Sequence, residues 1–172
     1  LQFSTSDEYR YHEALVHIPM SYANSHQKVL ILGGGDGLAA REILKYDDVE
    51  KIVLVDIDGE MTKLCSTNEQ IKKLNEGSLS NEKVKVINED AYLFTQENQE
   101  KFDVIIIDFP DPNNEALNKL YTNVFYNYIR SNLTPNGVMV CQSTSPYYAK
   151  NSFWCINKTI KTQFENVLSY HL

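Results

Sequence analysis

The sequence predicts an α/β fold, a mostly parallel β-sheet with helices on both faces. Three observations carry this. Short, almost wholly apolar runs recur, as at residues 28–32 and 102–108, and such runs mark strands buried on both faces. They alternate five or six times with segments of helical spacing, the pattern of parallel βαβ connections. The first run ends in Gly33-Gly34-Gly35-Asp36-Gly37, a glycine-rich turn from a strand into a helix.

In chain order, the predicted elements are a strand at 28–32, a helix at 38–46, a strand at 51–58 and a helix at 60–74. A strand at 84–90, a short helix at 91–96 and the most apolar strand, 102–108, follow. Leu120, Val124, Tyr128, Ile129 and Leu133 recur at helical spacing, and Thr134-Pro135-Asn136-Gly137 should stop that helix. A strand at 138–143 and a helix at 153–164 come next, and residues 166–171 fit a final strand. Residues 75–81 and 110–118 read as loops. Residues 1–27 carry no strand–helix unit, and their aromatic, polar part (3–13) is placed over one end of the sheet. The chain thus divides into this covering segment and one domain, 28–172.

The totals fit one globular domain: 172 residues, 42% hydrophobic and 23% charged. No apolar run reaches the roughly 18 residues that span a bilayer. The start, Leu1-Gln2-Phe3-Ser4, has no signal-peptide features and no Met, so a fragment of a longer protein is expected. A net charge of −7 argues against nucleic-acid binding and suits a cationic substrate, although it also serves solubility. Cys65, Cys141 and Cys155 are odd in number and far apart, which points to free thiols in a reducing compartment. The four histidines lack metal-ligand spacing, and no metal is expected.

The glycine loop lies where open α/β sheets bind nucleotides. Asp36 places a negative charge in it, which would repel a dinucleotide pyrophosphate and disfavours NAD. An acid two residues before the first glycine, common in methyltransferases, is replaced by Ile31. A carboxylate inside the loop suits a ligand with an ammonium and no neighbouring carboxylate, such as decarboxylated S-adenosylmethionine. Asp36 is equally read as a helix N-cap, and both roles are compatible. Asp56 ends the second strand about 20 residues on, the spacing of a ribose-binding acid, with Asp58 the solvent-facing neighbour. Asp90 is read either as an adenine-site acceptor or as a cap of the next helix. Asp108-Phe109-Pro110-Asp111-Pro112 forms an acidic turn, structural by default, but a candidate to take a proton from an attacking amine because it faces the glycine loop. Tyr9, Tyr11, His12 and Glu13 read as a packing patch, Tyr121, Phe125, Tyr126 and Tyr128 as helix packing, and Tyr147-Tyr148 as cleft lining.

Taken together, these motifs resemble the polyamine aminopropyltransferases, the spermidine synthase family, with the Rossmann-like fold of S-adenosylmethionine-dependent transferases. Gln2 with Asp7-Glu8-Tyr9-Arg10-Tyr11-His12-Glu13 is similar to the segment ahead of the family's sheet. Residues 33–37 are similar to its cofactor loop, Val55-Asp56-Ile57-Asp58 to a strand usually written Val-Glu-Ile-Asp, Glu89-Asp90-Ala91 to its adenine site, and 108–112 to a turn usually written Asp-Ser-Ser-Asp-Pro. The resemblance implies aminopropyl transfer from decarboxylated S-adenosylmethionine to putrescine or a related amine. It implies that Asp36 holds the aminopropyl ammonium, Asp56 the ribose, and Asp90, with Ala91, the adenine. Gln2, Ile57 and the loop glycines Gly33, Gly34, Gly35 and Gly37 join the nucleoside site. Asp108 with Tyr11 would orient and deprotonate the amine, and Asp111 and His12 would help to bind it.

There are departures. Asp56 is shorter than the usual Glu. Phe109-Pro110 replaces two small hydroxyl residues and, with Gln142-Ser143-Thr144-Ser145-Pro146-Tyr147-Tyr148, resembles the branch whose synthase domain is fused to a membrane-spanning region. That implies a cytoplasmic domain of an inner-membrane protein, without membrane contact by this chain. The family's small N-terminal β domain and its last strand are expected outside this sequence, so the isolated chain is expected to be poorly active; a homodimer is compatible with the family. Two other readings are a methyltransferase and a non-catalytic nucleoside- or polyamine-binding domain. The acceptor amine is left open, since such amines differ by about 1–3 kcal/mol per methylene in a pocket.

Overall fold

A computed structural model describes residues 4–112 and 115–171. Five strands, β1 (Lys28–Gly33), β2 (Lys51–Val55), β3 (Val84–Ile87), β4 (Phe102–Asp108) and β5 (Leu133–Cys141), form one parallel sheet in the order β3-β2-β1-β4-β5. The helices are α1 (Glu8–Tyr22), α2 (Leu38–Ile43), α3 (Gly59–Thr67), α4 (Glu69–Leu74), α5 (Ala91–Glu97), α6 (Glu115–Asn118), α7 (Asn123–Asn132) and α8 (Lys150–Lys161).

Strand alternation divides the core into two layers. Val29, Ile31, Ile52, Leu54, Val104 and Ile106 pack with Leu15, Val16 and Met20 of α1, Ala40 and Ile43 of α2 and Cys65 of α3. Leu30, Leu32, Val53, Val55, Ile105 and Ile107 face Phe125, Tyr126 and Ile129 of α7 and Ile156 and Ile160 of α8. Both faces are covered, which is why these strands read as unbroken apolar runs.

Several elements depart from the sequence expectations. The helix expected at 60–74 is two helices. The N–H of Asn68 closes α3 on the Leu64 carbonyl, while its side chain accepts from the N–H groups of Gln70 and Ile71 and opens α4. The helix expected from Leu120 begins at Asn123, because the Thr122 hydroxyl caps it by accepting from the Phe125 N–H at 3.2 Å. β5 starts at Leu133, and the Pro135-Asn136-Gly137 stretch is absorbed as an irregularity between the Phe102/Leu133 and Val104/Val138 pairs. β5 is the last strand in the order, an edge position that tolerates a proline. Residues 166–171 are not a strand. Much of the N-terminal segment, for which no helix was expected, is α1, laid against α2, β4 and β5.

The strand order turns back on itself between β1 and β4, where both connections leave the sheet in opposite directions and open a crevice. In register, Gly33 of β1 lies beside Asp108 of β4. At Gly33 φ is +84°, and a Cβ would sit 2.2 Å from the Asp108 carbonyl oxygen. Gly33→Ala should therefore cost about 3 kcal/mol or more, read as a lowered midpoint in urea unfolding; an unchanged midpoint would contradict this packing.

Candidate active site

The crevice at the carboxyl ends of β1, β2 and β4 gathers three acids: Asp36 after β1, Asp56 after β2 and Asp108 at the end of β4. Across it, α1 presents Tyr11 and His12. The Tyr11 hydroxyl donates a hydrogen bond to Asp108 Oδ1. Burial raises the Asp108 carboxyl to about 6; the negative charges of Asp36 and Asp56 add to this, while the Tyr11 hydrogen bond and His12 oppose it. The same burial and the neighbouring Asp108 push the Tyr11 phenol far above its ordinary value, so Tyr11 is a donor at every working pH. A carboxylate whose pKa approaches neutrality is suited to accept a proton.

Asp36 is 3% exposed, and its Oδ1 accepts from the Leu38 N–H at 2.9 Å. This is capping at the start of α2, with Gly37 itself in the left-handed region. Asp56 uses Oδ2 to accept from the Gly35 N–H (2.9 Å) and Oδ1 to accept from the Asp58 N–H (2.8 Å). A Cβ on Gly35 would lie 2.6 Å from Asp56 Oδ2, so only glycine allows this approach. Asp58 is exposed and caps α3. Asp90 caps α5 through the Tyr92 N–H at 2.9 Å, and its other oxygen accepts from Lys119, whose ammonium lies 5.6 Å from the centre of the Tyr92 ring. Beside them Ile57 is 74% exposed, while Ala91 is buried. Gln2 lies outside the described residues. Asp111 is exposed, and its Oδ1 accepts from Gln142 Nε2 at 3.2 Å.

Residues assigned no site role from the sequence complete the site. Asn75, fully buried, donates to the Asp36 carbonyl (2.8 Å) and the Cys65 carbonyl (3.0 Å), and the Ser78 hydroxyl donates to the Gly37 carbonyl (2.6 Å). The stretch expected as a plain loop is thus the clamp that shapes the glycine turn. Gln142, just after β5, has a buried Oε1 without a hydrogen-bond partner among the described residues, an acceptor beside Asp111. Nothing local in the sequence signals these pairings, most of which join residues about 30 to 40 apart. Among the described residues, no group of three His, Cys, Asp or Glu is placed to hold a metal ion, and no helix is long and apolar enough to cross a membrane.

Residues 8–172 match the model of the spermine/spermidine synthase domain. The chain belongs to this family. It is 51% identical over 172 residues to a polyamine aminopropyltransferase of Leptospira interrogans and 48% identical over 172 residues to one of Oceanobacillus iheyensis, in each case covering 100% of this chain and 34% of the relative. A crystal structure of spermidine synthase from Thermotoga maritima matches with a TM-score of 0.86 at 32% identity, covering 95% of this chain and 54% of that one. A spermidine synthase in complex with the transition-state analogue AdoDATO also matches at 0.86 and 32%, covering 92% and 53%. The fold is therefore the Rossmann-like one of these synthases, and the chain spans about a third of the length of these curated relatives. In this synthase domain the Tyr11 bond keeps Asp108 more acidic than burial alone would allow. In Tyr11→Phe the Asp108 carboxyl should titrate about one unit higher by carbon-13 NMR; a midpoint unchanged or lower would contradict this.

Proposed function

We propose that this domain transfers the aminopropyl group of decarboxylated S-adenosylmethionine to putrescine or a related amine, giving spermidine or its analogue and methylthioadenosine. The observation that carries the reading is the Asp108–Tyr11 pair, seated in register with Gly33 and within the field of Asp36. A buried acid under like-charged neighbours is relieved by a cation, and both proposed substrates bring ammonium groups. The relatives named polyamine aminopropyltransferase and the synthase bound to AdoDATO support the same chemistry.

In this mechanism Asp36 holds the aminopropyl ammonium. Asp56 takes the ribose, and Asp90 the adenine beside Ile57 and Ala91, with Lys119 yielding its place; Gln2 is assigned to the nucleoside through the family resemblance. Asp111, Gln142 Oε1 and His12 receive the amine. Asp108, with Tyr11 fixing it, accepts a proton from the attacking ammonium, so that the nitrogen lone pair is directed at the carbon beside the sulfonium. The new C–N bond forms as the C–S bond breaks, and the electron pair returns to sulfur. Because the thioether leaves neutral and unprotonated, the protein's work is alignment and removal of one proton. A methyltransferase reading is disfavoured by the same carboxylate: intact S-adenosylmethionine would set a second negative charge against Asp36. The free thiols of Cys65, Cys141 and Cys155 support a reducing, cytoplasmic setting, whether or not the parent polypeptide is membrane-anchored, and a homodimer is proposed only for the full-length protein.

The decisive experiment is product analysis by mass spectrometry with the full-length protein and a panel of amines. Aminopropylated product and methylthioadenosine are expected, and their absence with every amine would refute the reading. The acid limb of kcat/KM should lie near pH 6, activity falling below it as Asp108 is protonated and losing its proton-accepting form. Asp108→Asn should lower kcat/KM by about 100-fold or more. Calorimetric titration should show decarboxylated S-adenosylmethionine binding about tenfold or more tighter than the intact form, and Asp36→Asn should erase most of that preference. Equal affinities in the wild type would remove Asp36 from donor selection.

A further inference from the structure

Behind the amine cleft lies a buried polar cluster that the proposed mechanism does not use. Arg41, on the helix that springs from the glycine loop, grips Glu8 of α1 in a two-pronged bridge at 3.0 and 3.1 Å. Its remaining donors go to the Glu42 carboxylate at 2.8 Å and the Leu74 carbonyl at 2.7 Å. Glu42 in turn meets Lys45 at 2.6 Å and His17 at 3.0 Å. The side chains of Glu8 and Arg41 are each 9% exposed and that of Glu42 is 1%. Burial pushes the Glu8 carboxyl up, and Arg41 and His12 more than reverse this, holding it ionised. Taking such charges out of water costs about as much as their attraction returns, so a buried bridge is weak evidence for stability; what it does fix is geometry.

The geometry it fixes is that of His12. The ring is 2% exposed, and its Nδ1 faces two acceptors, the Glu8 carbonyl at 2.8 Å and Glu8 Oε2 at 3.0 Å. Two acceptors at one nitrogen require the proton there, which leaves Nε2 of the neutral ring bare. Nε2 makes no hydrogen bond among the described residues. The ring meets Tyr11 edge-on with centroids 5.0 Å apart, and its charge state is felt at Asp108. The groups around it are therefore Glu8 and Tyr11 on α1, Arg41 on α2 through Glu8, and Asp108 on β4.

We propose that Glu8 and Arg41 are positioning residues for the transfer: Arg41 clamps Glu8, and Glu8 holds His12 with its proton on Nδ1 and its bare Nε2 as an acceptor for the incoming amine. This rests on the reading of the cleft given above. It also ties the two halves of the site, since α2 leaves the donor loop and α1 carries the acceptor residues.

A double-mutant cycle in the full-length protein tests it, with the amine varied at saturating decarboxylated S-adenosylmethionine. Glu8→Gln keeps the side-chain volume and should lower kcat/KM for the amine roughly tenfold, the effect of one lost charge-assisted hydrogen bond. Added to His12→Ala, it should lower kcat/KM by less than about twofold further, because its effect passes through the ring. Arg41→Lys, which keeps the charge but loses the two-pronged grip, should show a smaller loss that likewise vanishes on the His12→Ala background. Additive losses mean that the bridge merely holds two helices together, and overturn the proposal. Nitrogen-15 NMR of histidine-labelled protein at alkaline pH gives a readout independent of turnover: a proton on Nδ1 of His12 is expected, and one on Nε2 overturns the proposal even where transfer is intact. Failure to transfer to any amine overturns the reading of the cleft itself, and is thereby distinguished from failure of this proposal alone.

Discussion

The crowding of carboxylates where three parallel strands end is the constraint on which the site depends. Asp36, Asp56 and Asp108 all raise the cost of negative charge in the same crevice; Asp108, desolvated and facing both other acids, is pushed to about 6. A fold that only needed to be stable would not gather them. The arrangement is held by parts that are themselves neutral: the left-handed glycines that let β1 end beside β4, the bare edge of Gly35 against Asp56, and the Asn75 and Ser78 donors on the loop carbonyls. These hold the acids together, so the ammonium groups of the proposed substrates would relieve their mutual repulsion.

The sheet was legible in the sequence because both its faces are buried. Residues 29–32 and 104–107 are apolar without alternation, a pattern that few soluble segments other than enclosed strands adopt. Helix limits were not legible, because single polar side chains set them. Asn68 splits one apolar-periodic segment into two helices, and Thr122 delays another, each through hydrogen bonds to the next turn. The early start of β5 was missed for the opposite reason. Pro135 and Gly137 signal a break, yet an edge strand can carry that break as an irregularity and continue.

The helix α1 was hidden by its own composition. Its buried side is His12, Leu15, Val16, Pro19 and Met20, so the stripe opens on a histidine and contains a proline, and only its middle is aliphatic. Hydrophobic periodicity is a weak signal when the buried face opens on a polar ring and carries a proline. The acids at the strand ends were legible as candidates because parallel topology delivers every strand's carboxyl end to one side. Asn75, Ser78, Gln142 and Arg41 were not, since the partners that give them their place are mostly backbone carbonyls or side chains tens of residues away.

The choice between a capping and a binding role for these acids dissolves in the geometry. A carboxylate has about four acceptor positions, and the known partners of Asp36, Asp56 and Asp90 include backbone N–H groups from their own loops. Those N–H groups stabilise the charged form and lock each oxygen in place before any ligand arrives. Capping is thus the means by which a short acidic side chain becomes a fixed acceptor, with no reorganisation left for the moment of reaction. The donor half of the cleft draws its rigidity from the backbone in this way. The proposed acceptor half hangs on α1, whose Tyr11 reaches Asp108 of β4, and there rigidity has to come from side chains. That difference is why a buried ionic cluster stands behind Tyr11 and His12, anchored on the helix that leaves the glycine loop.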